Sequence, residues 1–277
     1  MTPAQTTLRS DATEFGSTRP KVVEAPDFRR EFVCQEESMR FACSLEQIVF
    51  SRFQNGNSKP TIIEFGSGTG EPVIWALDRN RSSFAGIIHG YEINVEAAET
   101  AERLIGEYGL AARYVVHPVS FFETQRKPQA DYLIANPPYL PCKEENKGRL
   151  FLPYLFGGES GNDISKKLLD CGYNNVFLEV SSYSDPVAVV EHAQQLGYKI
   201  ENFSISPLTL GVYSRQNIVQ ERLQEMRKAG KAFYSNDGYL VGGAFFTKEN
   251  NGKPDLSDDF LASLTGIGRP RGPAHTP

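Results

Sequence analysis

The sequence predicts an α/β fold, a sheet of seven mostly parallel strands with helices on both faces. Three observations carry this. Short apolar runs of strand length alternate with segments of helical period along most of the chain. One such run, Thr61-Ile62-Ile63-Glu64-Phe65, feeds directly into Gly66-Ser67-Gly68-Thr69-Gly70 and a helix start. Another, Asp131-Tyr132-Leu133-Ile134-Ala135, stops at Asn136-Pro137-Pro138-Tyr139. Proline has no N–H to give to a ladder, so the strand ends there.

The elements follow in order. Residues 1–31 form a polar leader rich in Thr, Ser, Ala and Pro, with little periodicity, and are expected to be flexible. The main domain covers residues 32–250. It opens with Phe41, Leu45, Ile48 or Val49, and Phe53 at helical spacing, an amphipathic helix closed by Asn55-Gly56-Asn57-Ser58. After strand one and the glycine loop, Glu71-Pro72 starts a helix, with proline in the first turn where it is tolerated. Strand two (86–91) ends at Glu92. A helix (95–106) and strand three (113–116) lead to strand four, the run that ends at Asn136. The long excursion 140–161 carries Phe151, Tyr154 and Phe156 with Gly157-Gly158, and reads as a loop that covers a site. Helix 163–171, strand five (175–180), helix 186–196 and strand six (198–206) follow. An insertion at about 210–236, helical over 215–229 through Ile218, Val219, Leu223 and Met226, precedes strand seven (239–247). Residues 251–277 turn polar and rich in Gly and Pro, and are expected to form a disordered tail.

Composition bounds the classes of function. Of 277 residues, 40% are hydrophobic and 23% charged, an ordinary globular balance that supports one sizeable core. No apolar run reaches membrane-spanning length, and no secretory hydrophobic core stands at the start. The four cysteines are far apart, without a CxxC pair, which predicts reduced thiols in a cytoplasmic protein and no metal site. A net charge of −5 weighs against nucleic acid as the main partner, since phosphate binding wants clustered Lys and Arg.

Two stretches carry chemistry. In an open α/β sheet, ligands bind beyond the carboxyl ends of the strands. The glycines after strand one let the backbone turn tightly and approach a ligand with no Cβ in the way. Glu92, about twenty residues further on, is placed to bind two ribose hydroxyls. The spacing differs from the dinucleotide GxGxxG pattern, and Glu64 before the loop would repel a diphosphate but not a cationic cofactor. Asn136 brings a side-chain carbonyl for an N–H donor, and the prolines leave backbone carbonyls as further acceptors. Tyr139 adds an aromatic face for a flat or cationic partner. Together they make a socket for an N–H-bearing nitrogen.

Glu64-Phe-Gly-Ser-Gly-Thr-Gly70, Glu92 and Asn136-Pro-Pro-Tyr139 resemble class I S-adenosylmethionine-dependent methyltransferases that act on amino groups. The likeness is greatest to the HemK-like glutamine-amide methyltransferases. It spans roughly residues 32–247 and extends to Gly157-Gly158-Glu159-Ser160-Gly161-Asn162-Asp163. The resemblance implies a Rossmann-like sheet with an antiparallel last strand, and S-adenosyl-L-methionine as cofactor. It places Gly66, Ser67, Gly68 and Gly70 around the methionine moiety, Glu92 with Ile93 at the ribose, and Glu64 at the cofactor's amino group. Ser120 and Phe121 fall at the adenine position, with Ser120 replacing the family's Asp. Asn136, shared with the cofactor site, and the Pro137 carbonyl would hold the substrate nitrogen, with Tyr139 packing against it. Three departures lie where substrate is selected. The separate N-terminal helical domain is missing, Leu150-Phe151 replaces a Glu-Pro pair, and the 210–236 insertion is atypical. The sequence therefore predicts N-methylation of a small-molecule amine or amide, with Phe151 and Tyr154 as further substrate contacts. The alternatives are a protein glutamine-amide methyltransferase, a nucleic-acid amino-methyltransferase and, of a different class, a silent partner subunit that keeps the fold. An insertion that only caps an edge or forms an interface also stays open.

Overall fold

The computed structural model describes residues 32, 34–53, 58–125 and 129–266. The leader at 1–31, the Asn55-Gly56-Asn57 turn and the chain beyond 266 lie outside these residues.

Seven strands form one mixed, Rossmann-like sheet: β1 (Thr61–Phe65), β2 (Ile87–Tyr91), β3 (Tyr114–His117), β4 (Tyr132–Ala135), β5 (Asn175–Ser181), β6 (Lys199–Thr209) and β7 (Gly238–Thr247). Their order is β3-β2-β1-β4-β5-β7-β6, with β7 antiparallel to both neighbours and the other pairings parallel. The chain winds outward from β1 through β3, then returns to lay β4 on the other side of β1. That reversal opens a crevice between β1 and β4 at their carboxyl ends, where open α/β sheets place ligands.

Strand alternation divides the core between the two faces. Ile62, Ile88, Ile134, Phe177 and Phe245 face α1 (Gln35–Ser44), α2 (Glu71–Arg79) and α3 (Val95–Glu107). Their neighbours Ile63, Leu133, Val176, Leu178, Ala244 and Phe246 face α4 (Asp163–Asp170), α5 (Pro186–Gln195) and α7 (Ser257–Thr265). The central strands are buried on both sides, which explains their unbroken apolar runs. A third cluster lies beyond the carboxyl ends. There α6 (Asn217–Lys228), through Val219, Leu223 and Met226, packs with Leu140, Leu150, Leu152 and Tyr183. The insertion and the 140–161 excursion thus share one small core.

Helix α1 continues through a π turn (Leu45–Val49) and a 3-10 turn (Phe50–Phe53). Its buried stripe contains Phe41, Leu45 and Ile48, as the periodicity requires, but also Glu37, Arg40 and Ser44. Arg40 pairs with Glu179 on β5, and Ser44 Oγ meets Ser204 Oγ at 3.0 Å. Arg52 donates to Glu201 Oε1 at 2.6 Å and so fixes the end of this segment to β6.

Two expectations are corrected. Residues 251–277 are not wholly a disordered tail. Asp255 Oδ1 accepts from the N–H and hydroxyl of Ser257, starting α7, and Phe260, Leu261 and Leu264 bury on the sheet. The apolar spacing of these three was hidden by the polar, Gly- and Pro-containing residues around it. His89, whose place in strand two reads as that of a core histidine, is instead half-buried on the sheet face, its Nδ1 lying 3.1 Å from His117 Nε2.

Phe260 is fully buried, with its ring 5.4 Å from that of Phe203. Replacing Phe260 by alanine is expected to cost about 3–5 kcal/mol of stability in denaturant unfolding. A cost within experimental error would show that α7 is not part of the cooperative core.

Candidate functional site

The glycine loop leaves β1 and turns beneath the end of β2. Gly66 N–H donates to the Tyr91 carbonyl at 2.9 Å, and Gly68 N–H to Glu92 Oε2 at 2.8 Å. Asn94 N–H donates to the other Glu92 oxygen at 2.7 Å. Glu92 is thereby held by two backbone donors, one from each adjoining loop. Gly66 and Gly68 both have positive φ, and a Cβ on either would point into open space, so the loop presents bare backbone to the crevice. Gly70 plays a different part. It caps α2 at φ 74°, and a Cβ there would stand 3.2 Å from Ala101 Cβ and from the Tyr114 ring. It serves packing and does not line the cavity, contrary to the sequence expectation.

Beside this loop lies the end of β4, because Phe65 pairs with Ala135 in the parallel register. Asn136 follows at once. Its Nδ2 donates to Glu37 Oε1 on α1 at 2.8 Å, while its Oδ1 is buried with no hydrogen-bond partner. Tyr139 is buried, its hydroxyl 2.9 Å from that of Tyr239 and its ring 5.6 Å from Tyr183. The returning excursion docks on this turn. Leu140 N–H donates to the Leu155 carbonyl at 3.1 Å and Gly157 N–H to the Leu140 carbonyl at 3.0 Å. A Cβ at Gly157 would come within 2.7 Å of the Pro138 carbonyl oxygen, and one at Gly161 within 2.4 Å of the Tyr139 carbonyl oxygen. That close approach is the physical reason for glycine at both positions.

Loop, turn and lid enclose one cavity of about 350 Å³. Of the sequence-predicted residues it brings together Glu64, Gly66, Ser67, Gly68, Glu92, Ile93, Ser120, Phe121, Asn136, Pro137, Tyr139 and Tyr154. Phe151 is not among them. It points outward, 40% exposed, while its N–H donates to Gln216 Oε1 at 2.7 Å and ties the lid to the start of α6. Aromatic character alone could not tell an inward ring from an outward one. The walls also include residues the sequence reading missed: Glu37, Phe122, Tyr183, Tyr213 and Tyr239. A signal for Glu37 existed, since with Arg40 it interrupts the apolar stripe of α1, and charges on a buried face need a purpose. Tyr239 gave none because a strand aromatic reads as core, and Tyr183 sits in the turn after β5, where no pattern marks it.

The electrostatics are one-sided. Among the described residues the lining holds three acidic groups, Glu37, Glu64 and Glu92, and no Lys or Arg. Glu64 does not act as the free carboxylate foreseen. It is buried, accepts from the Tyr114 hydroxyl at 2.6 Å, and burial pushes its carboxyl up to about 8 against the pull of that bond, with Glu92 adding to the rise. Burial also raises the Glu37 carboxyl, while hydrogen bonds from Tyr139 and Asn136 and the charge of Arg40 pull it back. Among the described residues no group of three or more His, Cys, Asp or Glu is placed to hold a metal ion, and no helix is long and apolar enough to cross a membrane.

The chain matches no family model and no curated protein. Solved structures similar to it include a SAM-dependent methyltransferase from Geobacter sulfurreducens in complex with S-adenosyl-L-homocysteine, 10% identical over 79% of this chain and 93% of that one, with TM-score 0.46. A methyltransferase from Pyrococcus furiosus is 17% identical over 74% and 82% of the two chains, with TM-score 0.44. A SAM-dependent methyltransferase from Thiobacillus denitrificans, also with S-adenosyl-L-homocysteine, is 11% identical over 76% and 91%, with TM-score 0.45. Identity this low and superposition this loose say nothing about what this chain binds.

Glu64 generates a pH prediction. Its folded pKa of about 8 lies above its unfolded value, so the native state holds a proton that the unfolded chain gives up. The stability it contributes is full below the unfolded pKa and is lost as pH rises toward about 8. Glu64→Gln keeps an acceptor for Tyr114 and cannot ionise. It is expected to be more stable than the wild type above that pH by on the order of 1–3 kcal/mol, and to flatten the decline. Parallel pH–stability curves for the two proteins would contradict a proton on Glu64.

Proposed function

We propose that this chain is an S-adenosylmethionine-dependent methyltransferase that methylates an amine or amide nitrogen of a small molecule. The observation that carries the reading is the buried Asn136 Oδ1 without a partner. A buried acceptor left empty costs roughly 1–3 kcal/mol, and this one stands in a cavity beside the glycine loop, where an N–H donor from a ligand would satisfy it.

The residues present fit the cofactor. Gly66 and Gly68 offer bare backbone, and Glu92, held by two N–H donors, keeps lone pairs for a diol. Ile93 and Phe122 place exposed apolar surface at the rim, suited to a flat base. A lining with carboxyl groups and no basic side chain suits a cationic ligand and opposes a diphosphate. When bound, the cofactor supplies an electrophilic methyl group on a sulfonium. The protein's own task is then positioning. Asn136 Oδ1 and the Pro137 carbonyl accept N–H bonds from the substrate, which aims the nitrogen lone pair and favours the positive charge that develops on nitrogen. The lid, through Leu152, Tyr154, Leu155 and Phe156, excludes water from the same space.

A small substrate is supported by what surrounds Asn136. Helix α1, the lid and residues 209–214 all line the cavity, with the Thr209 hydroxyl donating to Glu36 Oε2 at 3.3 Å and the lid backbone at Phe151 held by Gln216. A folded protein loop would have to displace them.

Titration calorimetry with S-adenosylhomocysteine is expected to show binding to the wild type, weakened by about 1–3 kcal/mol in Glu92→Ala. Binding of a nicotinamide dinucleotide in its place would overturn the reading. In labelled-methyl transfer to a metabolite pool, Asn136→Ala should lose about two or more orders of magnitude of turnover with cofactor affinity nearly unchanged. Equal losses in both would make Asn136 structural.

A further inference from the structure

We infer that the chamber beyond Asn136 is built for a small cationic amine, with the Glu37 carboxylate as its counter-ion and the acceptor of its proton. The inference rests on the N-methylation reading above and narrows its substrate from amine or amide to ammonium.

Glu37 lies on α1, 4% exposed, and lines the cavity with Asn136. Its Oε1, 2.8 Å from Asn136 Nδ2, fixes that amide so that Oδ1 is the atom left without a partner. A donor-seeking amide oxygen and a carboxylate already held by Asn136 and Tyr139 therefore stand side by side. A primary or secondary ammonium carries N–H groups for both, and its charge besides.

Charge balance points the same way. Behind Glu37 is Arg40, already paired with Glu179 on β5, both of them buried. Among the described residues the buried set thus holds two carboxyls and one guanidinium, one acid more than it can neutralise. Burying an unpaired carboxylate is costly, and a paired charge offsets part of that cost. A bound ammonium supplies the missing charge; an amide does not. The walls suit the same ligand. Tyr139, Tyr183 and Tyr239 cluster next to Glu37, with Tyr183 and Tyr239 centroids 4.5 Å apart, and Phe32 with Tyr213, 5.6 Å apart, adds a further aromatic pair. Aromatic faces attract cations.

The proton step balances within the pair. An ammonium N–H bond breaks and an O–H bond forms on Glu37, while the bonding electron pair stays on nitrogen as the lone pair needed for attack. Ammonium and carboxylate become amine and carboxylic acid, with no net change in charge. Burial makes Glu37 a stronger base than an exposed carboxylate, which brings the two groups closer in proton affinity. Among the described residues the other groups facing it are Cys34 just before α1, Glu36 and Arg40 from α1, Glu179 from β5, and Tyr139, Tyr183 and Tyr239. Burial keeps the thiol and the tyrosine hydroxyls protonated, and Glu179 is taken up by Arg40.

The test compares benzylamine with benzyl alcohol, near-isosteres that differ in charge, by calorimetry with and without S-adenosylhomocysteine. The wild type is expected to bind the ammonium about ten-fold or more tighter than the alcohol. The preference should grow as pH rises through the Glu37 pKa, which burial raises above the usual carboxylate range, while the amine keeps its own proton. Glu37→Gln, which retains an acceptor for Asn136, should bind the two probes equally and S-adenosylhomocysteine as before. Equal binding by the wild type, no benzylamine binding, a pH-independent preference, or a preference that survives Glu37→Gln would overturn the inference. Glu64 in the same cavity also loses a proton toward about 8, so the pH series is repeated in Glu64→Gln, where the growth in preference should persist if Glu37 causes it and vanish if Glu64 does. Failure of S-adenosylhomocysteine to bind, with the ammonium preference intact, would remove the cofactor reading and leave the Glu37 assignment standing. The reverse result would do the opposite.

Discussion

The parallel pairing of β1 with β4 is the constraint on which the site depends. Registering Phe65 against Ala135 puts Gly66 and Asn136 at the same level of the sheet, one residue beyond the last ladder pair. The glycine loop and the Asn-Pro-Pro-Tyr turn are seventy positions apart in the chain (136 − 66) and adjacent in space because two strands with buried faces admit one register. A slip of one residue would turn Ile62 and Ile134 to the opposite face and carry Asn136 away from the cavity. The crevice is therefore as rigid as the core beneath it.

Above that base, the chamber is made by segments that do not belong to the sheet. Helix α1 contributes Glu37, and is held down by the Arg40–Glu179 pair and the Ser44–Ser204 contact as well as by Phe41 on Phe177. Such a polar seam is a poor source of stability compared with apolar packing, since its desolvation offsets most of its attraction. What it does supply is register: the helix can sit in one rotation only, with Glu37 against Asn136. The lid and the insertion are joined in a comparable way, by Leu150 and Leu152 packing near α6 and by Gln216 holding the Phe151 backbone.

The acidic lining is the second consequence of this arrangement. Three carboxyl groups converge on one cavity, and they are managed differently. Glu92 is fixed by backbone donors, Glu64 is buried against Tyr114 with its proton retained, and Glu37 stands beside an orphaned carbonyl. Three residues of one type thus have three different surroundings, set by burial and by the donors within reach.

Much of the fold was legible in the sequence, because it follows from short-range pattern. Apolar runs such as Thr61–Phe65 and Tyr132–Ala135 are strands because their residues are buried on both faces, and glycine or proline ends them where the backbone must turn or stop donating. The same local logic placed Glu92, Asn136 and Tyr139 at strand ends. Helix α7 was missed because three apolar residues in a polar stretch signal a helix only once a sheet is present to receive them. The side chains that close the chamber were decided by tertiary structure. Whether Phe151 or Tyr154 faces inward depends on how a long excursion docks at Gly157 and Gly161. Whether Glu37 is a solvated helix residue or a buried neighbour of Asn136 depends on the rotation of α1 over β5, set by a partner at Glu179, 139 positions away. Periodicity records which face of an element is buried; it does not record what that face meets.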